Sequence, residues 1–403
     1  MIDSPPSSDD RRLSALLISP KPVDLYPPVQ YQARILAQRG FSVHLVTAPA
    51  GGRRSVDLQE QGVSLYAFPY LAASRARRSI AFYQMIAAVA VLRVRLGRGL
   101  ALEVAFDPPG VVASAWAPGR GQYLVHHHHE VLVDMHRFDM PARRIIDKAD
   151  LVVAADTDRE ALLHTHTPQP RATTTVRNVP LTEAATPRVV SKLPGFCVVY
   201  AGVIATTQAI DVVIASMNRW PFEATLHLFG NVKPDFKAHL DSIAAECGVS
   251  HRVIYEGWVP LDSLLDRLAA HHLALTIIRP ENENWLYCAG ASNKRFQAMA
   301  VGLPQITDDQ PSVKALMEAS SAGTSVPWDD EDAIAEAVCS YAANPERTLT
   351  EGERGRQYIL REANYETEFA KVMSFAGLTD AATHSVQEPI AKSVSRRAAQ
   401  IPE

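Results

Sequence analysis

The sequence predicts an α/β protein built from two tandem Rossmann-like domains that face each other across a cleft. Size is the first observation: 403 residues, 47% of them apolar and 21% charged, exceed what one hydrophobic core usually organises. The second is alternation. From residue 13 onward, short β-branched or Leu-rich runs alternate with helical patterns, as in a parallel sheet covered on both faces. The third is a single interruption, a weakly patterned and Pro-punctuated linker at 181–195, after which the alternation begins again.

The elements follow in order. Residues 1–12 (MIDSPPSSDDRR) are Pro/Ser-rich and acidic without the apolar stretch of a secretory signal, and are expected to be a disordered tail. The first domain, 13–180, has strand candidates at 13–19, 42–49, 102–106, 122–128, 151–155 and 173–179. Its first strand-to-helix turn lacks GxGxxG, so it is no dinucleotide fingerprint; Pro27 or Pro28 opens the helix, and Lys21, Asp24 and Tyr26 lie in the loop as acceptor-side candidates. Residues 71–100 hold six arginines and no acid around the run IAFYQMIAAVAVL. Such a segment can lie weakly on an anionic membrane, but a run apolar all round fits a helix inside the domain core better. FDPPG (106–110) is another strand-to-helix turn; Asp107 can hold an acceptor hydroxyl, although capping the helix is the commoner use. The second domain, 196–362, has strand candidates at 196–204, 224–230, 252–257, 273–279, 303–307 and 324–328. Residues 380–403 lack periodicity and are expected to be a second disordered tail.

Bulk properties exclude some classes. A net charge of −4 gives no general attraction to nucleic acid. The four cysteines, Cys197, Cys247, Cys288 and Cys339, form neither a CxxC pair nor a disulfide framework, which suits a reducing, cytoplasmic location. No charge-free apolar stretch of membrane-spanning length is read in the sequence, and no cofactor or metal is expected. His126–His129 is no metal site by pattern, because strand neighbours point to opposite faces; two of the four are expected inside and two at the strand end.

Ligands of open α/β sheets bind beyond the carboxyl ends of the strands, so functional residues belong just after strands. One such place is the small-residue loop 289–292 followed by a helix opening at Asn293, with Lys294 and Arg295 in its first turn. Free amides, the helix dipole and two cations would converge there on a phosphate, with Ser292 and Asn293 as donor-binding candidates.

NKRFQAMAVGLPQI (293–306) resembles the NKLFEAMAAGLPVI signature of family 4-like GT-B glycosyltransferases (glycosyl transferases group 1). YLVHHHHE (123–130), ADLVVAADTDREALL (149–163), VRNVP (176–180) and VVYAGVIATTQAIDVVIASM (198–217) resemble further family segments in the same order. The resemblance implies transfer of a sugar from a nucleotide-activated donor, with UDP or GDP the expected nucleotide, to a small-molecule or glycan acceptor, with retention and without an essential metal. It places His129 and Glu130 at the acceptor-side His–Glu pair beside His128, and Val203 and Gln208 at the donor diphosphate, with Gly202, Gly230 and Asn231 as further donor-binding candidates at strand ends. Trp258 and Val259 fall beside the base, Glu283 near the donor sugar, and Gln297 at the ribose. It also implies that 363–379 crosses back to the first domain. If functional, His129 orients or deprotonates an acceptor group, while Lys294 steadies the leaving phosphate.

The chain also departs from the family pattern. Val203 and Gln208 stand where relatives carry cations, Gln297 replaces a glutamate, and Ala289 falls on a carboxylate position. Lys294, Arg295 or Arg279 can substitute for the missing charges, and a nucleoside monophosphate donor would need fewer. A GT-B protein that binds without turnover and a nucleotide-sugar epimerase are the alternative readings. The oligomeric state is not fixed by the sequence.

Overall fold

The computed structural model describes residues 13–49, 51–68, 75–132, 137–166 and 168–379. The expected tails at 1–12 and 380–403 lie outside them.

The N-terminal half runs β1 (Ser14–Pro22), α1 (Pro27–Gln38), β2 (Ser42–Ala48), α2 (Arg53–Glu60), β3 (Ser64–Ala67), α3 (Arg75–Leu96), β4 (Leu100–Phe106), α4 (Asp107–Trp116), β5 (Tyr123–His128), α5 (Asp139–Arg144), β6 (Leu151–Ala154), α6 (Thr157–His166) and β7 (Thr173–Thr175). The C-terminal half runs β8 (Cys197–Ala201), α7 (Ile210–Ser216), β9 (Thr225–Phe229), α8 (Pro234–Glu246), β10 (Val253–Gly257), α9 (Leu261–Ala269), β11 (Leu273–Thr276), α10 (Glu283–Leu286), α11 (Asn293–Ala300), β12 (Gln305–Asp308), α12 (Pro311–Ser320), β13 (Gly323–Val326), α13 (Glu331–Ala343), α14 (Pro345–Arg361) and α15 (Tyr365–Phe375).

The strands form two parallel sheets, ordered β3-β2-β1-β4-β5-β6-β7 and β10-β9-β8-β11-β12-β13. The direction of winding reverses between β1 and β4 in the first sheet and between β8 and β11 in the second. At such a reversal the flanking connections leave toward opposite faces, and a crevice opens beyond the strand ends. This places the turns after β1, β4, β8 and β11 at the site. The central strands are buried on both faces, as β4 shows from Leu100 to Phe106, which accounts for their continuous apolar runs.

Two parts of the sequence reading are corrected. The edge strand β3 is not among the strand candidates: its four residues are exposed at the ends and only half-buried in the middle, so no apolar run marks them. The segment around α3 is not a helix inside the core. By length and composition Ser79–Gly99 could cross a membrane, yet 33% of its most apolar window is buried. One side, with Phe82, Met85, Val89 and Leu92, packs into the domain. Val91 and Val94 on the other side are 65% and 82% exposed.

The last two helices join the halves. Ile359 of α14 and Tyr365, Phe369, Val372 and Met373 of α15 enter the same core cluster as Ala15, Leu17 and Val104 of the first sheet and Phe296 and Met299 of α11. The Tyr365 hydroxyl accepts from Gln32 at 3.0 Å. Arg177 pairs with the buried Glu368 at 2.8 Å. The C-terminal helix is thus part of the N-terminal core.

Candidate functional site

The two crevices face each other and form one cleft of about 720 Å³. On the C-terminal side, Gly202 directly follows β8 and Gly230 directly follows β9, both with positive φ. A Cβ at Gly230 would sit 1.8 Å from the Gly202 carbonyl oxygen, so the backbones meet there only because Gly230 has no side chain. Val203, Asn231, Trp258 and Val259 line the cleft around this contact. Trp258 is 59% exposed.

The opposing edge of this wall is the start of α11. Ser292 is its N-cap without a side-chain bond to the helix, and Ser292, Asn293 and Lys294 line the cleft. The first amides of a helix lack partners one turn back, so they point toward a bound group. Lys294 Nζ donates to Gln208 Oε1 and, at 3.2 Å, to the Tyr200 hydroxyl. Burial, with Arg295 adding a like charge, pushes the Lys294 ammonium down to about 7. Gln208 therefore holds the lysine where the resemblance expects a second cation.

The preceding small-residue loop is braced by the other half of the chain. Asp156 accepts the Gly290 amide at 2.5 Å, and the Asn178 amide donates to the Gly290 carbonyl at 2.8 Å. A Cβ at Gly290 would meet the Ala155 carbonyl oxygen at 3.0 Å. The loop is small because another backbone lies on it.

On the N-terminal side, Asp107 closes the β4–α4 turn with φ 52°, a backbone conformation that Asp tolerates better than most residues. It does not cap α4. Its carboxylate accepts from the Tyr26 hydroxyl at 2.6 Å, from the His129 backbone N–H at 3.2 Å, and pairs with Lys21 at 3.0 Å. Burial opposes its charge, but Lys21, His129 and Tyr26 together hold the Asp107 carboxyl well below the usual carboxylate range. With Tyr26 donating to Asp107, the Tyr26 oxygen is free to accept from His129 Nδ1. The His129 proton then sits on Nδ1, leaving the Nε2 lone pair for a bound group. Lys21, Tyr26, His129 and Glu130 all line the cleft.

The other histidines turn inward. His126, His127 and His128 are all buried, and only His129 reaches the cleft. Three are inside rather than two, because β5 is covered on both faces. Burial pushes His128 down to about 4, so it is a neutral core residue and does not line the acceptor side. His127 stacks on His129 at 4.5 Å between ring centroids and is held by Gln32 at Nδ1, 2.9 Å away.

Several other candidates stand apart. Asp24 accepts the amides of Gly51, Gly52 and Ser55 at 3.1, 3.0 and 2.8 Å, capping α2 from outside. Arg295 is fully buried and pairs with Asp308 at 2.6 Å while donating to the Cys288 carbonyl at 2.9 Å; it ties β12 to the loop before α11 and offers nothing to the cleft. Gln297 is half-buried one turn beyond Lys294, and Glu283 opens α10; neither is among the lining residues. Arg279 is taken up by Asp211 at 2.8 Å.

The sequence reading missed Arg159. It donates to the carbonyls of His129, Asn284 and Tyr287 and so ties both walls at the cleft. Asn284 Oδ1 in turn accepts the Val131 amide at 2.7 Å. An arginine on a helix whose partners are backbone carbonyls distant in sequence leaves no local pattern. Asn282 and Trp285 also line this part of the cleft. The arrangement offers an anion cradle on one wall and a held, directional imidazole on the other.

Residues 195–344 match the family model described as Glycosyl transferases group 1. A Mycobacterium tuberculosis protein named GDP-mannose-dependent alpha-(1-6)-phosphatidylinositol monomannoside mannosyltransferase is 27% identical over 146 residues, 36% of this chain and 37% of that relative. Among solved structures, Anabaena HepE in complex with UDP and glucose superposes with a TM-score of 0.70 at 14% identity, covering 91% of this chain and all of that one. Sucrose-phosphate synthase from Thermosynechococcus elongatus gives 0.70 at 16% identity over 92% and 100%. These structural likenesses show the GT-B fold.

Proposed function

We propose, from a C-terminal half that matches glycosyl transferases group 1 and a whole chain with the GT-B fold, that the protein transfers a sugar from a nucleotide-activated donor to an acceptor in the N-terminal half of the cleft. One observation carries the reading: Lys294 at the start of α11 faces the same cleft as His129, whose Nδ1 is held by Tyr26 and Asp107. As a sugar leaves its phosphate, negative charge grows on the leaving oxygen, and preorganised cations and amides stabilise that charge. The α11 amides and Lys294 supply them. His129 Nε2 then orients the attacking hydroxyl and takes up its proton. We propose UDP or GDP as the nucleotide; the UDP of HepE and the GDP-mannose in the mycobacterial relative's name support these two. Retention and independence from added metal belong to the same proposal, by resemblance.

Thermal-shift titration against UDP, GDP, ADP, TDP, CDP and CMP, with and without EDTA, tests the donor half. A nucleotide at 100 times its Kd adds about 2.7 kcal/mol of stability. One nucleotide should stabilise the protein equally in EDTA, and its sugar conjugate should then be consumed with an acceptor whose product keeps the donor's anomeric configuration by NMR. No response to any nucleotide would defeat the proposal.

Val203 and Gln208 favour a second reading, a nucleotide- or glycan-binding protein without turnover. Saturable nucleotide binding with no sugar released or transferred would select it; turnover by the native chain would end it.

A further inference from the structure

We infer that the outer side of α3, with the neighbouring ends of α4 and α5, is a docking surface for an anionic lipid bilayer. Ile80, Tyr83, Val91 and Val94 are 55%, 63%, 65% and 82% exposed. Their spacings of three, eight and three residues keep them on one helical stripe, with the exposed Ala87 between them. The stripe continues sideways. Trp116 at the end of α4 is 56% exposed and its ring lies 5.7 Å from that of Phe82; Met140 on α5 is 43% exposed. Phe138 packs on Phe82 at 4.7 Å, and the Arg137 guanidinium stands 4.6 Å over the Phe138 ring.

The charges point to the occupant. Residues 71–100 contain six arginines and no acid. Arg93 is the internal one: it is buried against Glu103 at 3.0 Å and also donates to Ser114 and Ala117. That network, with Phe82, Met85, Val89 and Leu92, fixes the inner side of α3 to the domain. A helix held this way cannot insert across a bilayer without breaking a buried ion pair, but it can lie flat on one. Arg95 and Arg98 are exposed at its C-terminal end, and the sequence sets Arg75, Arg77 and Arg78 at the other end. Exposed apolar and aromatic side chains, with the exposed Arg95 and Arg98 at one end of the stripe and Arg137 beside Phe138, match an interface of acyl chains beneath anionic headgroups. A second copy fits less well, since a two-fold contact through this stripe would bring like charges together.

The test is co-sedimentation of the full chain with vesicles of phosphatidylcholine alone and of phosphatidylcholine mixed with phosphatidylglycerol, at low and high salt. Wild type should prefer the anionic vesicles by about tenfold or more and lose the preference in high salt. Val91→Asp/Val94→Asp and Arg95→Glu/Arg98→Glu should each reduce binding to anionic vesicles by about tenfold or more. Unchanged circular dichroism and melting temperature show that these surface variants remain folded. No binding by wild type, or equal binding to both vesicle types, overturns the inference. So does a wild-type dimer in light scattering that Val91→Asp/Val94→Asp makes monomeric, because a second copy then covers the face.

Discussion

Lys294 carries a charge that changes near neutral pH, and this separates ligand binding from folding. Burial holds its ammonium near 7, against an ordinary value of 10.5. A phosphate bound at α11 favours the protonated form, so nucleotide affinity should be flat below about pH 7 and fall roughly tenfold per unit above it. The unliganded fold behaves oppositely. Between about 7 and 10.5 the unfolded chain binds the extra proton, so this residue's contribution to stability rises with pH. Calorimetric titration with UDP or GDP from pH 6 to 9 checks the first slope, and Lys294→Met should flatten it while lowering turnover by about 10² to 10³. Across the cleft, Tyr26→Phe removes the nearer acceptor for His129 Nδ1–H, leaving Asp107 at 3.4 Å, while sparing the ring's packing. Turnover should drop by about tenfold to a hundredfold with little change in nucleotide affinity. Asp308→Ala strands the Arg295 guanidinium where both side chains are fully buried; a loss of about 3 to 5 kcal/mol should appear in urea unfolding. Residue types were legible at this scale where they follow strands, as with Lys294 and His129. Arg295 and His128 were not, because nothing in the order of residues says which side of a helix start or strand end faces inward.

At the scale of elements, the period of the sequence did most of its work on central strands. Those runs are apolar throughout because helices cover both faces, and β4 and β8 lie where the pattern put them. Edge strand β3 and the exposed stripe of α3 escaped for one shared reason: neither partner packing nor its absence is written in composition. The small-residue loop before α11 was legible as a phosphate loop, but its contact with Asp156 and Asn178 was not. The strand ends themselves are testable. Gly230→Ala would drive a Cβ into the Gly202 carbonyl and require a left-handed alanine. It should cost about 2 kcal/mol or more in thermal unfolding and abolish the nucleotide-induced shift, since β8 and β9 would no longer meet at the cleft.

For the whole molecule, the interruption at 181–195 falls between β7 of the first sheet and β8 of the second. It did not show how thoroughly the halves interlock. Arg159, Asn284, Asp156 and Asn178 join the walls at the cleft, while α14 and α15 join them behind it. Thermal unfolding of the intact chain should therefore be a single transition by both calorimetry and circular dichroism. Removal of residues 362–403 should lower the melting temperature of the N-terminal domain and expose surface that binds a hydrophobic dye.

The return of α15 into the first core also fixes an order of events at the ribosome. The first sheet is complete once Thr175 has been made, but Phe369 and Met373, which fill its core, come almost 200 residues later. At about 5 to 20 residues per second that gap lasts roughly 10 to 40 s. Until then the side chains of the N-terminal core that α15 covers lack that partner, and a ribosome-stalled chain ending before residue 362 should bind a chaperone there more than the full chain does. The half that is synthesised first is thus the half that finishes folding last.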